Sequence, residues 1–330
     1  MSKNWIKTSL TVNSVIRLAA KLRPPGAAIL MYHSVMDDPD RERQTLGKII
    51  HSSTVFSCHM ELIAREYVPI SLDELARAVT DGKELKPRSV AVTFDDGYSD
   101  NCEVAVPILN RVGVPATFYV TVDCVETAKL PWPSRLRHAF YTARKISWND
   151  TKSTRILGDA AQRDQAFLRA CDLCAKLAGG RQEEFVAGIE NALEAGPPKT
   201  TRRLMMTWDQ VQEIAKKGHI VGSHTLTHPN MAYLEESDAK TELVDSKRKL
   251  EQVLNGPVGH FSYPCPALSP HWSPGTRRLS QEAGYRSAVT TVGGPVRRND
   301  DPLALHRVRP TKEPDGLRWN LECTFLGRAM

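Results

Sequence analysis

In the stretch VAVTFDDGYSDN (residues 90–101), an apolar run ends in two adjacent carboxylates, Asp95 and Asp96. Unpaired charge at the edge of a sheet core is costly, so the pair requires a metal, a cation or water. A second stretch, IVGSHTLTHPNM (residues 220–231), sets His224 and His228 four apart after another apolar run, with Pro229 closing it. On a helical turn this spacing projects both imidazoles from one face, within reach of one ion. A lone histidine at a strand end is usually a packing residue, but two of them beside a spare acidic pair argue for a ligand set. Two imidazoles and one carboxylate suit a catalytic Zn²⁺ with a position left for water. The same trio suits a non-haem Fe²⁺ oxygenase. The second carboxylate discriminates, because a metal-assisted hydrolase needs a base and an oxygenase does not. Adjacent strand residues point to opposite sides unless the strand ends there. Gly97 permits that ending.

These residues need a scaffold that brings distant segments together. Short β-like runs occur at 27–35, 88–96, 114–122, 218–224, 259–264 and 285–291. Helical patterns fall between them at 99–113, at 207–218 with a capping box from Thr207 to Gln210, and at 237–256 between a Ser cap and a Gly stop. Regular alternation predicts a parallel sheet or barrel, the barrel being favoured by the number of units. Such barrels build their sites at the C-terminal ends of their strands, where Asp95, Asp96, His224 and His228 all fall. Residues 129–205 break the rhythm with three helical patterns and no strand, which predicts a helical insertion.

Composition narrows the function classes. The 330 residues are 41% hydrophobic and 25% charged, values ordinary for a globular protein, and the net charge of +6 is mild. No Lys/Arg-rich block and only 7% aromatics give nucleic-acid binding little support. No run approaches the length of a membrane-spanning helix. Residues 1–26 read as an amphipathic helix, with Val12, Val15, Ile16, Ala19 and Leu22 on one face and Lys7, Arg17 and Lys21 on another. It either packs on the catalytic domain (27–330) or rests on an anionic membrane surface. The segment lacks the features of a secretory signal, and the seven cysteines form no framework. Both points predict a cytoplasmic protein, peripheral on the membrane at most. The CDLC run at 171–174 has redox spacing but no redox context.

TFDDG followed by GSHTLTHPNM resembles the polysaccharide deacetylase family, carbohydrate esterase family 4 or the NodB-homology domain. The resemblance extends to ILMYHSV, TWDQVQEIAKKGHIVGSHT, FSYPCPALSP and LALHRVRP, spanning roughly residues 27–310. It implies a distorted (β/α)7 barrel that removes N-acetyl groups from amino sugars, or less often O-acetyl groups. It further implies Asp95 as catalytic base and Asp96, His224 and His228 as ligands of one divalent ion, Zn²⁺ with Co²⁺ or Ni²⁺ as substitutes. The expected partner is an N-acetylated sugar or glycoconjugate. A catalytically silent sugar-binding module on the same fold is the rival reading.

Two positions depart from the family pattern. Where the family carries an Arg that contacts the base, this chain has Ser262, so Arg307 in LHRVRP is the expected replacement. The backbone N–H of Cys265 falls at the oxyanion-donor position. The acid in the branch with an N-terminal MYH strand is that strand's His, here His33, and His306 is its competitor. Trp132 and Trp272 suit stacking on a sugar ring but equally suit ordinary core or surface packing, so neither joins the candidate site.

Overall fold

The computed structural model describes residues 26–37, 49–150, 152–196 and 202–327. The amphipathic helix expected over residues 1–26 lies outside the described residues, apart from Gly26. Seven strands run in chain order around the sheet: β1 (Ala27–Tyr32), β2 (Ser89–Phe94), β3 (Ala116–Val120), β4 (Ile220–Ser223), β5 (His260–Ser262), β6 (Ser287–Gly293) and β7 (Leu305–Arg307). Every pairing between them is parallel. The chain just beyond β7 returns to β1, with Met31 N–H donating to Val308 O (3.0 Å) and Val308 N–H to Ile29 O (2.7 Å). The result is a distorted (β/α)7 barrel. Residues of β1 to β3 are buried along their whole length, as strands covered on both faces require.

An eighth strand, Val68–Pro69, adds to the edge of β2. A small parallel pair, Ser34–Val35 with Ile50–His51, stands just beyond the C-terminal end of β1. Strand β7, absent from the expected set, is only three residues long. It follows β6 through a register shift between Val289 and Gly293, too short a run to show a periodicity.

The crossovers are α1 (Ser53–Glu66), α2 (Leu72–Thr80), α3 (Val106–Val112), α7 (Trp208–Lys216), α8 (Glu236–Leu254) and α9 (Pro274–Glu282). Helix α3 is preceded by a π-helical turn over Asn101–Ala105 and stopped by left-handed Gly113. Helix α7 carries the expected capping box between Thr207 and Gln210. Helix α8 starts at Glu236 rather than at a Ser cap, and left-handed Asn255 rather than Gly256 ends it. Between β3 and β4 stand α4 (Trp132–Thr142), α5 (Ala160–Cys174) and α6 (Gly179–Ala192), packed around their own core of Trp132, Leu136, Phe140, Trp148 and Phe167. This segment also holds a short antiparallel hairpin, Ser147–Asn149 with Thr154–Ile156, where no strand was expected. Its turn forms because the Asp150 carboxylate accepts from the N–H groups of Lys152 and Ser153, at 2.7 Å each. Cys171 and Cys174 are buried free thiols of the insertion core.

Candidate active site

Strand β2 delivers Asp95 and Asp96 to the C-terminal mouth, and β4 delivers His224 one residue past its end. Asp96 adopts a left-handed φ of 77°, and Gly97 follows at 89°. That reversal separates the two carboxylates, sending one inward to an arginine and the other to the histidines. The His224–His228 segment is a loop rather than a helical turn, because Thr225 (φ 70°) and His228 (φ 63°) are both left-handed. Left-handed non-glycine residues cost roughly 1–3 kcal/mol each and gather where function demands them. The loop still brings both imidazoles to Asp96. Its Oδ1 lies 3.5 Å from His224 Nε2 and 3.3 Å from His228 Nε2.

All three residues are buried, yet Asp96 Oδ1 accepts no hydrogen bond, nor does His228 Nδ1 have a partner among the described residues. Buried polar atoms are rarely left so. The three ligand atoms lie within 4.8 Å of one another. Two ligand atoms on a tetrahedral ion sit about 3.3 Å apart, so the observed spacing fits a divalent cation. His224 is pre-set for that task. Its Nδ1–H donates to Ser262 O (2.7 Å), which leaves the Nε2 lone pair free. Burial alone pushes the Asp96 carboxyl up, but the two imidazoles outweigh it and hold the group well below the usual carboxylate range.

Asp95 is gripped bidentately by Arg307, with Nη1–Oδ1 at 2.8 Å and Nη2–Oδ2 at 2.7 Å. Arg307 itself is buried and fully engaged, donating also to Thr290 O, Thr93 Oγ1 and Ser262 Oγ. Ser262 thus makes room for an arginine arriving from β7. Burial would raise the Asp95 carboxyl, but the Arg307 guanidinium, with His224, keeps it below its ordinary value. His33 Nε2 stands 4.0 Å from Asp95 Oδ2. Burial pushes its imidazole down while Asp96 and Asp95 pull it back up, with a net lowering. The backbone around His33 is fixed from α3's approach: Asn101 Nδ2 donates to His33 O (2.7 Å), and Asp100 accepts from Ser34 Oγ (2.7 Å) and Val35 N–H (3.1 Å).

His33, Asp95, Asp96, His224, His228 and Cys265 line one pocket, joined by His51, Tyr98 and Arg309 and walled by Pro131, Pro133 and Ser134 of the insertion. Among the described residues no carbonyl accepts from the Cys265 N–H. The Cys265 thiol sits 2.8 Å from His271 Nε2, and burial pushes it up. His306 is outside the pocket lining; its ring lies against Gly294 on the other face of β7 from Arg307. Neither tryptophan lines the pocket. Trp132 is buried and donates from Nε1 to His228 O (2.8 Å), and Trp272 stacks on Tyr263. The Trp132 bond ties the insertion to the histidine loop.

Two supports of the site went unnoticed in the sequence. Asp100 and Asn101 directly follow the DDGYS run, which was their available signal. Glu242 accepts from Leu226 N–H, Thr227 N–H and Thr227 Oγ1 beneath the loop. Its signal was an acidic residue inside the buried stripe Ala239, Leu243, Ser246 and Leu250 of α8.

Comparisons with known proteins agree with this fold. The chain is 22% identical over 310 residues to YxkH of Bacillus subtilis (strain 168), named as a polysaccharide deacetylase, covering 92% of this chain and 74% of the relative. Its fold matches the Streptococcus pyogenes deacetylase PplD, solved in complex with acetate, at a TM-score of 0.60 and 20% identity over 91% of this chain and 99% of that one. It also matches IcaB from Ammonifex degensii at a TM-score of 0.58 and 16% identity, covering 91% and 98% of the two chains. The family model described as polysaccharide deacetylase matches residues 82–166 and 181–288, more than half of the chain, which therefore belongs to the polysaccharide deacetylase family.

Proposed function

We propose that the chain is a metal-dependent deacetylase that hydrolyses the N-acetyl group of an N-acetylhexosamine unit in a glycan or glycoconjugate. The carrying observation is the convergence of Asp96 Oδ1 with two imidazole Nε2 atoms, beside an arginine-held Asp95, in one pocket. Asp96, His224 and His228 hold one divalent cation, Zn²⁺ with Co²⁺ or Ni²⁺ as substitutes. Bound there, the cation supplies Lewis acidity, acidifying water towards neutral pH and polarising an acyl carbonyl.

The chain's own groups do the rest. Asp95 takes the proton of the attacking water at a carboxylate oxygen. Arg307 keeps that carboxylate ionised and aimed into the pocket. The Cys265 N–H donates to the oxygen on which charge develops. His33, on the same pocket wall, gives a proton to the departing amine. Amide cleavage requires such an acid, because an amine anion is a very poor leaving group. The presence of an imidazole in the pocket therefore favours amide over ester substrates.

The test is acetate release from acetylated chitooligosaccharides and from O-acetylated sugars, with Zn²⁺-loaded and chelator-treated protein. Metal-dependent acetate with appearance of a free amine is the expected result. No acetate from any acetylated sugar would turn the reading into a silent sugar-binding module.

A further inference from the structure

We propose that Glu242 is the positioning residue of the 224–228 loop and sets how tightly the loop's histidines hold a divalent cation. The proposal rests on Asp96, His224 and His228 being the ligand set. Two of the loop's five residues have left-handed backbones, so its shape is not one the local sequence prefers. External contacts must over-determine it. On one side, Val122 and Asp123 donate their N–H groups to Thr225 O (3.2 Å) and Leu226 O (3.0 Å). On the other, one carboxylate collects three donors: Leu226 N–H at 2.8 Å, Thr227 N–H at 3.0 Å and Thr227 Oγ1 at 2.5 Å. Glu242 is 2% exposed and does not line the pocket, so it touches neither the ligand atoms nor a substrate. Its influence passes through Leu226 and Thr227 of the loop.

An amide in its place keeps all three contacts, its oxygen accepting from both backbone N–H groups and its N–H₂ donating to Thr227 Oγ1, whereas Glu242→Leu keeps a buried side chain of similar size and loses all three. The loop then relaxes at Leu226 and Thr227, and His228 Nε2 drifts from Asp96. The measurement is Zn²⁺ and Co²⁺ affinity of the full chain by competition with a chromophoric chelator, alongside the Co²⁺ absorption spectrum and the melting temperature of metal-free protein. Outer supports of metal ligands are typically worth 10–100-fold in affinity, so Glu242→Leu should bind about 10–100-fold more weakly with an altered Co²⁺ spectrum. Thr227→Val, which removes one of the three donors, should weaken binding less, and it decides the matter if Glu242→Leu does not fold. Affinity within about two-fold of wild type in both variants, with an unchanged spectrum, would overturn the proposal. So would a loss confined to the melting temperature. A wild type that binds no metal would instead sink the ligand-set reading itself.

Discussion

At the N-terminal end of the barrel, His260 opens β5, Ser287 opens β6, and Asp73 reaches them from α2; at the C-terminal mouth, Asp96 meets His224 and His228. Both clusters combine carboxylate and imidazole in the barrel wall. At the N-terminal end every partner is engaged: His260 Nε2 bonds Asp73 Oδ1 at 2.9 Å, His260 Nδ1 bonds Ser287 Oγ at 2.8 Å, and Arg286 adds a bond to Asp73 at 2.8 Å. The atoms follow the order of a Ser-His-Asp triad, yet Ser287 is fully buried and no substrate can reach it. At the mouth, Asp96 Oδ1 faces two imidazole Nε2 atoms yet accepts no hydrogen bond among the described residues, and Asp96, Thr225 and His228 are all left-handed. Satisfied clusters rigidify a barrel, and unsatisfied ones wait for a ligand. Residue types alone would not have told the two apart.

Four tests can break or sharpen this contrast. The largest effect is expected at the mouth: His33→Ala should keep its metal but lose about 10²–10⁴-fold in turnover on amide substrates. An aryl acetate, with its better leaving group, should suffer far less. Equal, small losses on both substrates, with the selective loss found in His306→Ala, would move the acid to His306.

The second contrast is in sign. His260 holds the Asp73 carboxyl below its ordinary range, whereas burial pushes the Glu242 carboxyl from an ordinary 4.5 up to about 7 against the pull of its loop donors. A raised folded value means stability that is present below the unfolded value and lost as pH rises through about 7. The shift corresponds to about 3 kcal/mol. In metal-free protein, the melting temperature of Glu242→Gln relative to wild type should therefore rise between about pH 4.5 and 7.5 and level off above. A difference independent of pH would contradict this.

A smaller effect is expected where the insertion meets the loop. Trp132→Phe keeps the ring and removes the donor to His228 O, so metal affinity should fall about 10-fold with the fold retained. An unchanged affinity in the chelator competition would detach the insertion from the metal centre. The smallest effect on catalysis belongs to the N-terminal end. Ser287→Ala leaves His260 Nδ1 unpaired and should cost about 1–3 kcal/mol in denaturant unfolding, with turnover unchanged. A fall in turnover without loss of stability would mean that the two ends are coupled.

What the sequence revealed follows the same division. Strands β1 to β3 are legible because burial on both faces leaves continuous apolar runs such as AAILMY and SVAVTF. Asp95, Asp96, His224 and His228 are legible because charge at the end of such runs has few structural uses. Strand β7 was missed because three residues show no period, although Arg307 within it was already expected to face Asp95. The histidine loop looked like a helical turn because four-residue spacing is shared by both, and only tertiary contacts force Thr225 and His228 into left-handed backbones. Glu242 escaped notice, and Trp132 was read as a possible sugar platform rather than a tie to His228 O, for the same reason. Each acts on a backbone far away in sequence, through a bond that no local pattern announces.

The division of labour between the adjacent aspartates is the centre of the account, and metal content measured together with turnover tests it most directly. Asp95→Asn should retain close to one zinc per chain while turnover falls about 10²–10⁴-fold, and Asp96→Asn should emerge from purification depleted of zinc. A metal-depleted Asp95→Asn beside a zinc-replete Asp96→Asn would contradict the assignment.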